Sequence, residues 1–106
     1  MAEHGTPHLF RPLTQRGLTF KNRVCVSPMC QYQAEDGRMT DWHYDHHVRF
    51  AMGGVAIGIV EATGVSADGR ITPGCTGLWT DDQIAPMARV TEAYKRYGAV
   101  PGIQLG

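Results

Sequence analysis

The side chains able to do chemistry fall into a few groups. His43, His46 and His47 lie within one short segment. His43 and His47 stand at i, i+4, the spacing at which two imidazoles on one helical face can share a metal ion. The pattern has no Glu in an H-E-x-x-H arrangement and no third ligand at a recognisable distance, so we read these histidines as polar helix residues. Cys25, Cys30 and Cys75 are odd in number and form no C-x-x-C pair. That argues against a disulfide framework or a cysteine zinc site and fits a reducing cytoplasm. Cys25, in mid-strand, reads as a small buried hydrophobe. Cys75, in a loop, carries no assigned role. Cys30 closes the segment Ser27-Pro28-Met29-Cys30, where a strand runs into a proline turn. On the residues alone that junction need bind nothing. The loop Gly69-Arg70-Ile71-Thr72-Pro73-Gly74 matches neither G-x-G-x-x-G nor a P-loop, and Arg70 reads as a clasp on nearby carbonyls. His4 and His8, in the N-terminal tail, carry no signal.

The elements that must position these groups follow from patterning. Leu9 to Leu13 and Leu18 to Arg23, separated by Gln15, Arg16 and Gly17, predict a small hairpin. Val24 to Ser27 is a first core strand, and Pro28 to Met39 a loop turning at Glu35-Asp36-Gly37. Thr40 is an N-cap with Asp41 at the positive helix end. Tyr44, Val48 and Ala51 then form an apolar stripe that ends at Gly53-Gly54. The nearly unbroken apolar run Val55 to Ala62 suits a parallel strand buried on both faces. Thr63 to Leu78 is a Gly-rich loop. Thr80-Asp81-Asp82-Gln83 matches a capping box, but Pro86 lacks an N–H, so the main helix is expected from Pro86. Its stripe is Met87, Val90, Tyr94 and Tyr97, and Gly98 stands at C′. Val100 to Leu105 is a third strand.

The order hairpin, β, α, β, α, β makes each helix a crossover between parallel strands. Two architectures begin this way, a (β/α)8 barrel and an open doubly wound sheet. Both bind ligands at the C-terminal strand ends, here Ser27-Pro28-Met29-Cys30, Glu61-Ala62-Thr63 and Gln104-Leu105. With 106 residues, 42% of them hydrophobic, the chain is sized for one small domain. Residues 1–8 read as a flexible tail. Formal net charge is zero, which leaves no basic field for nucleic acid or an anionic membrane. No apolar run approaches the ~20 residues of a membrane span, and residues 1–7 show no signal-peptide pattern.

The strand ends also carry a resemblance. Leu9-Phe10-x-Pro12-Leu13, Leu18 to Val24, Ser27-Pro28-Met29-Cys30-Gln31-Tyr32, Asp41-Trp42-His43, Val60-Glu61-Ala62-Thr63, Gly69 to Cys75 and Gly102-Ile103-Gln104-Leu105 occur in order. Together they resemble the opening of Old Yellow Enzyme-type proteins, in their thermophilic-like, xenobiotic-reductase branch. The resemblance implies an α/β fold: an N-terminal hairpin and the first three β/α units of a (β/α)8 TIM barrel, with residues 9–106 forming its N-terminal part. Such barrels need about 250 residues. It implies FMN as cofactor and NAD(P)H as electron donor. Ser27, Pro28, Met29, Cys30, Ala62 and Gln104 would bind the flavin, with the Gln104 amide pairing with its pyrimidine edge. Cys30 would tune the flavin and touch substrate, and Tyr32 would contact a small-molecule substrate. Glu61 reads as structural.

The expected activity is ene-reduction of α,β-unsaturated carbonyls or reduction of nitro compounds. The chain is expected to be an N-terminal fragment, inactive alone and prone to aggregate through unpaired strand edges. The family continues into a His-Ala-Gly-Arg segment and supplies its substrate-binding His/Asn pair, catalytic Tyr and phosphate-binding groups further on. A homo-oligomeric parent is compatible with the sequence. The alternatives are a small non-catalytic α/β ligand-binding module and, more distantly, a metal-binding module on the histidines.

Overall fold

The computed structural model describes residues 5–106. The tail expected over 1–8 therefore lies, for residues 1–4, outside the described residues. The elements are β1 (Leu13–Gln15), β2 (Leu18–Phe20), β3 (Cys25–Val26), α1 (Asp41–Gly53), β4 (Ile57–Gly64), β5 (Thr76–Gly77), α2 (Ile84–Arg96) and β6 (Val100–Leu105). Short 3-10 turns occupy His8–Phe10, Ala67–Gly69 and Asp81–Gln83.

The expected hairpin forms with shifted bounds: His8–Phe10 is a 3-10 turn, and the first strand starts only at Leu13 and takes in Gln15. β1 and β2 pair antiparallel with Gln15 opposite Leu18, so Arg16-Gly17 is a two-residue turn, and Arg16 takes a positive φ of 56°. β4 is the axis of the second sheet. It pairs in parallel with β3 on one side and β6 on the other, and its C-terminal residues also pair with β5. The Gly-rich loop thus contains a strand the sequence did not announce. Two residues are too few to show a period.

β4 corrects the expectation of burial on both faces. Gly58 and Val60 are buried, while Ile57 and Ile59 between them are only half-buried. Val60 packs into the core with Met39, Ala51, Met87, Val90, Tyr94 and Ala99. The helices therefore cover one face of the sheet. Gly58 is part of that contact, because a Cβ there would overlap the Tyr94 ring.

The second correction concerns α1. It starts at Asp41 behind Thr40 and ends at Gly54, whose φ is 100°, as the caps predicted. Its buried face is not Tyr44-Val48-Ala51 but His43, His46, His47 and Ala51, with Tyr44 and Val48 half-buried. The hydrophobic stripe was the wrong guide because each imidazole finds a role inside. Nδ1 of His43 accepts the Thr40 backbone N–H at 2.9 Å, giving the helix start a histidine in place of the usual Glu of a capping box. His47 Nδ1 is 2.5 Å from the Tyr94 hydroxyl. The His46 ring meets those of His47 and Phe50 edge-on.

α2 begins at Ile84, two residues before the expected Pro86. Pro86 falls in the first turn, where the missing N–H has no intrahelical acceptor to serve. Gln83 is 2% exposed, and its Oε1 accepts from Trp79 N (2.7 Å) and Thr80 N (3.1 Å). Its Nε2 donates to Asp36 O at 3.0 Å, which fastens the helix entry to the Glu35-Asp36-Gly37 turn. Met87, Val90 and Tyr94 are buried as expected, but Tyr97 is exposed at the C-cap. There its carbonyl accepts from Lys21 Nζ at 2.5 Å.

Candidate functional site

Because β3, β4 and β6 are parallel and adjacent, their C-terminal ends emerge on one edge of the sheet. Residues 27–32, 61–64 and 104–106 are thereby brought to the same side of the molecule. Gly106 N donates to Thr63 O (2.9 Å) and Val65 N to Gly106 O (3.1 Å), so the β6 and β4 ends are directly joined.

The segment after β3 is held on this edge by β4 and α1. Gln31 N points at Glu61 Oε1 (3.4 Å), and the Gln31 side chain bridges Met29 O (2.9 Å) and Trp42 Nε1 (3.0 Å). Pro28 and Cys30 are half-buried, while Ser27, Met29 and Tyr32 are exposed. Tyr32 has a φ of 58°, an unfavourable backbone state for a side chain of that size. Gly74 packs against it so closely that a Cβ would lie 2.9 Å from the Tyr32 carbonyl.

The Cys30 thiol lies beside the Ala62 backbone and the Cys75 side chain, which both act on its titration. Burial, first, and then the neighbouring Cys75 and Glu61 push its pKa above the ordinary thiol value. The sequence thus missed Cys75 as a neighbour of Cys30, since only the fold of the 63–78 segment brings them together. It also missed what Glu61 does. That carboxylate is 1% exposed, with Oε1 toward Gln31 and Oε2 3.8 Å from His43 Nε2.

Cys25 is exposed rather than a buried hydrophobe, because β3 is an edge strand two residues long. Gln104 is exposed, and its amide makes no side-chain hydrogen bond among the described residues. Alternation along β6 puts Gln104 on the face opposite Ile103, which lines an apolar groove of about 200 Å³ with Val60, Met87 and Thr91. Gln104, Ser27, Met29 and Ala62 thus offer an unengaged amide, a hydroxyl, a thioether and a small side chain at one edge. Arg70 holds its own loop, donating to Ala67 O (2.9 Å) and Pro73 O (3.2 Å), as the sequence suggested. No helix among the described residues is long and apolar enough to cross a membrane.

The model of the NADH:flavin oxidoreductase / NADH oxidase family matches residues 8–106. An NADH:flavin oxidoreductase of Gibberella zeae is 46% identical over 101 residues, covering 95% of this chain and 24% of its own length. An NADPH dehydrogenase of Geobacillus thermodenitrificans is 46% identical over 99 residues, covering 92% of this chain and 29% of its own. The solved old yellow enzyme homologue from Zymomonas mobilis superposes with a TM-score of 0.83 at 29% identity, over 93% of this chain and 28% of that one. The chain therefore spans about a quarter of the length of these relatives.

Proposed function

The chain belongs to the NADH:flavin oxidoreductase / NADH oxidase family, the family of the Old Yellow Enzyme-type proteins it resembles, and on that premise we propose that it is the flavin-edge portion of an ene-reductase. FMN and NAD(P)H are the cofactors the family match implies. In this reading residues 9–106 form the hairpin and first three β/α units of a (β/α)8 barrel. The substrates are small molecules, α,β-unsaturated carbonyls or nitro compounds, and the reducing cytoplasm suits the free thiols.

The observation that carries the reading is the meeting of three parallel strand tips on one edge, with Cys30 in the segment that follows the first of them. When bound, FMN supplies the hydride chemistry, and the protein supplies orientation and electronics. Ser27, Pro28 and Met29 present backbone and thioether to the ring. Gln104 pairs its donor and acceptor with the pyrimidine edge. Cys30 sets the polarity beside the reactive edge, and Tyr32 donates its phenolic hydrogen to a substrate carbonyl. Glu61 orients the Cys30-Gln31-Tyr32 segment through the Gln31 N–H.

A complete barrel carrying this segment should purify yellow and bleach when NADPH is added without oxygen. A colourless protein that ignores both FMN and NADPH would sink the assignment. The isolated chain should neither bind FMN nor turn over. Saturable quenching of FMN fluorescence by it would instead favour the second reading, a small α/β ligand-binding module.

A further inference from the structure

We propose that Cys30 and Cys75 are a built-in modification site, a thiol pair that closes to a reversible intramolecular disulfide. Two backbone clamps bring them together. On one side of Cys75, Gly74 O accepts from Ala34 N at 3.0 Å, and Gly74 lies flush against the Tyr32 backbone. On the other side, Thr76 pairs in parallel with Thr63, and their hydroxyls are 2.8 Å apart. The 74–76 segment is thus tied to the residues just after Cys30 and to the residue just after Ala62. Cys30 lies near enough to Cys75 and to the Ala62 backbone for both to act on its thiol.

The two thiols differ in access. Cys30 is half-buried, whereas Cys75 is 1% exposed and receives the Thr72 N–H at 3.3 Å, with Thr72 Oγ1 3.4 Å from its sulfur. A dissolved peroxide can meet Cys30 but not Cys75. The Cys30 thiolate attacks one peroxide oxygen and the O–O bond breaks, giving a sulfenic acid and hydroxide, which takes up the Cys30 proton as water. The Cys75 thiolate then attacks the Cys30 sulfur and displaces hydroxide, which takes up the Cys75 proton as water. In sum, two thiols and one hydrogen peroxide give one disulfide and two waters. Burial keeps Cys30 largely protonated at neutral pH, so the first step accelerates toward alkaline pH. The consequence for catalysis rests on the function proposed above: a closed bond withdraws the thiol from the flavin edge. The bond itself does not depend on it.

The test is peroxide treatment of the chain in dilute solution without flavin, followed by alkylation and peptide mapping under non-reducing conditions. We expect loss of two hydrogens, a Cys30–Cys75 linked peptide, an alkylated Cys25, and reversal by dithiothreitol. Cys75→Ser should abolish the link and leave a Cys30 sulfenic acid that dimedone traps, while Cys25→Ser should change nothing. Cys30 and Cys75 both alkylated after treatment would overturn the proposal. So would the mixed pairings that a guanidine-denatured sample gives. The readout uses no flavin, so it can fail while the bleaching test succeeds, and the reverse.

Discussion

Nε2 of His43 lies 3.8 Å from Oε2 of Glu61, and neither side chain reaches solvent. Both atoms lack a hydrogen-bond partner, although the other end of each group is engaged. His43 Nδ1 accepts the Thr40 N–H, and Glu61 Oε1 faces Gln31 N. The pair thus couples the start of α1, the end of β4 and the Cys30-Gln31-Tyr32 segment.

Removing the Glu61 carboxyl leaves the Gln31 N–H without its acceptor and the buried His43 ring without its polar neighbour, at a cost of about 1–3 kcal/mol. Glu61→Ala should therefore destabilise strongly in urea unfolding. Glu61→Gln keeps an oxygen for the Gln31 N–H and should cost clearly less. Equal losses for the two variants would show that the Gln31 contact is irrelevant.

Stability should fall on acidification through one identified imidazole. Burial, then His46 and His43, lower the His47 pKa from 6.5 to about 4. The folded form keeps His47 neutral while the unfolded chain binds a proton below pH 6.5. Stability is therefore full above that value and declines as pH falls toward 4, by roughly 3 kcal/mol for about two and a half pK units at 1.36 kcal/mol each. His46, lowered by burial and Arg49, adds in the same direction. At the other extreme, burial raises Tyr94 to about 12, so stability present below pH 10 is lost as pH rises through 12. Denaturant midpoints across pH would check both limbs, and a flat acid limb in wild type would refute the His47 assignment.

Gly58→Ala should cost about 1–3 kcal/mol or more, because the added methyl meets the Tyr94 ring inside the core. Gly53→Ala, where nothing lies within 4 Å of the added carbon, provides the control. Similar unfolding midpoints for the two variants would contradict the packing described.

Among the described residues β6 pairs only with β4, which leaves its other edge open, and Ile103 and Leu105 are exposed. The isolated chain should self-associate as concentration rises. Lys in place of Leu105 should shift the chain toward monomer in light scattering, whereas an unchanged mass would place the contact elsewhere.

Much of the frame was legible because it is written in local chemistry. Thr40, Gly54, Gln83 and Gly98 each mark a helix end by their own hydrogen bonds or backbone angle. What patterning could not reach was the content of the α1 face. A hydropathy stripe weighs His43 and His47 as polar, yet each is buried because a specific atom elsewhere, Thr40 N or the Tyr94 hydroxyl, engages it. The strand-tip residues could be named from the sequence, but Cys75 beside Cys30 depends on β5 pairing at Thr63. That is a long-range contact carried by a two-residue strand.

The sheet has one more implication, for how the molecule is made. β3, β4 and β6 lie side by side in the order they occur along the chain, so each new strand finds its neighbour already present. Assembly can keep pace with a nascent polypeptide leaving the ribosome, one crossover at a time.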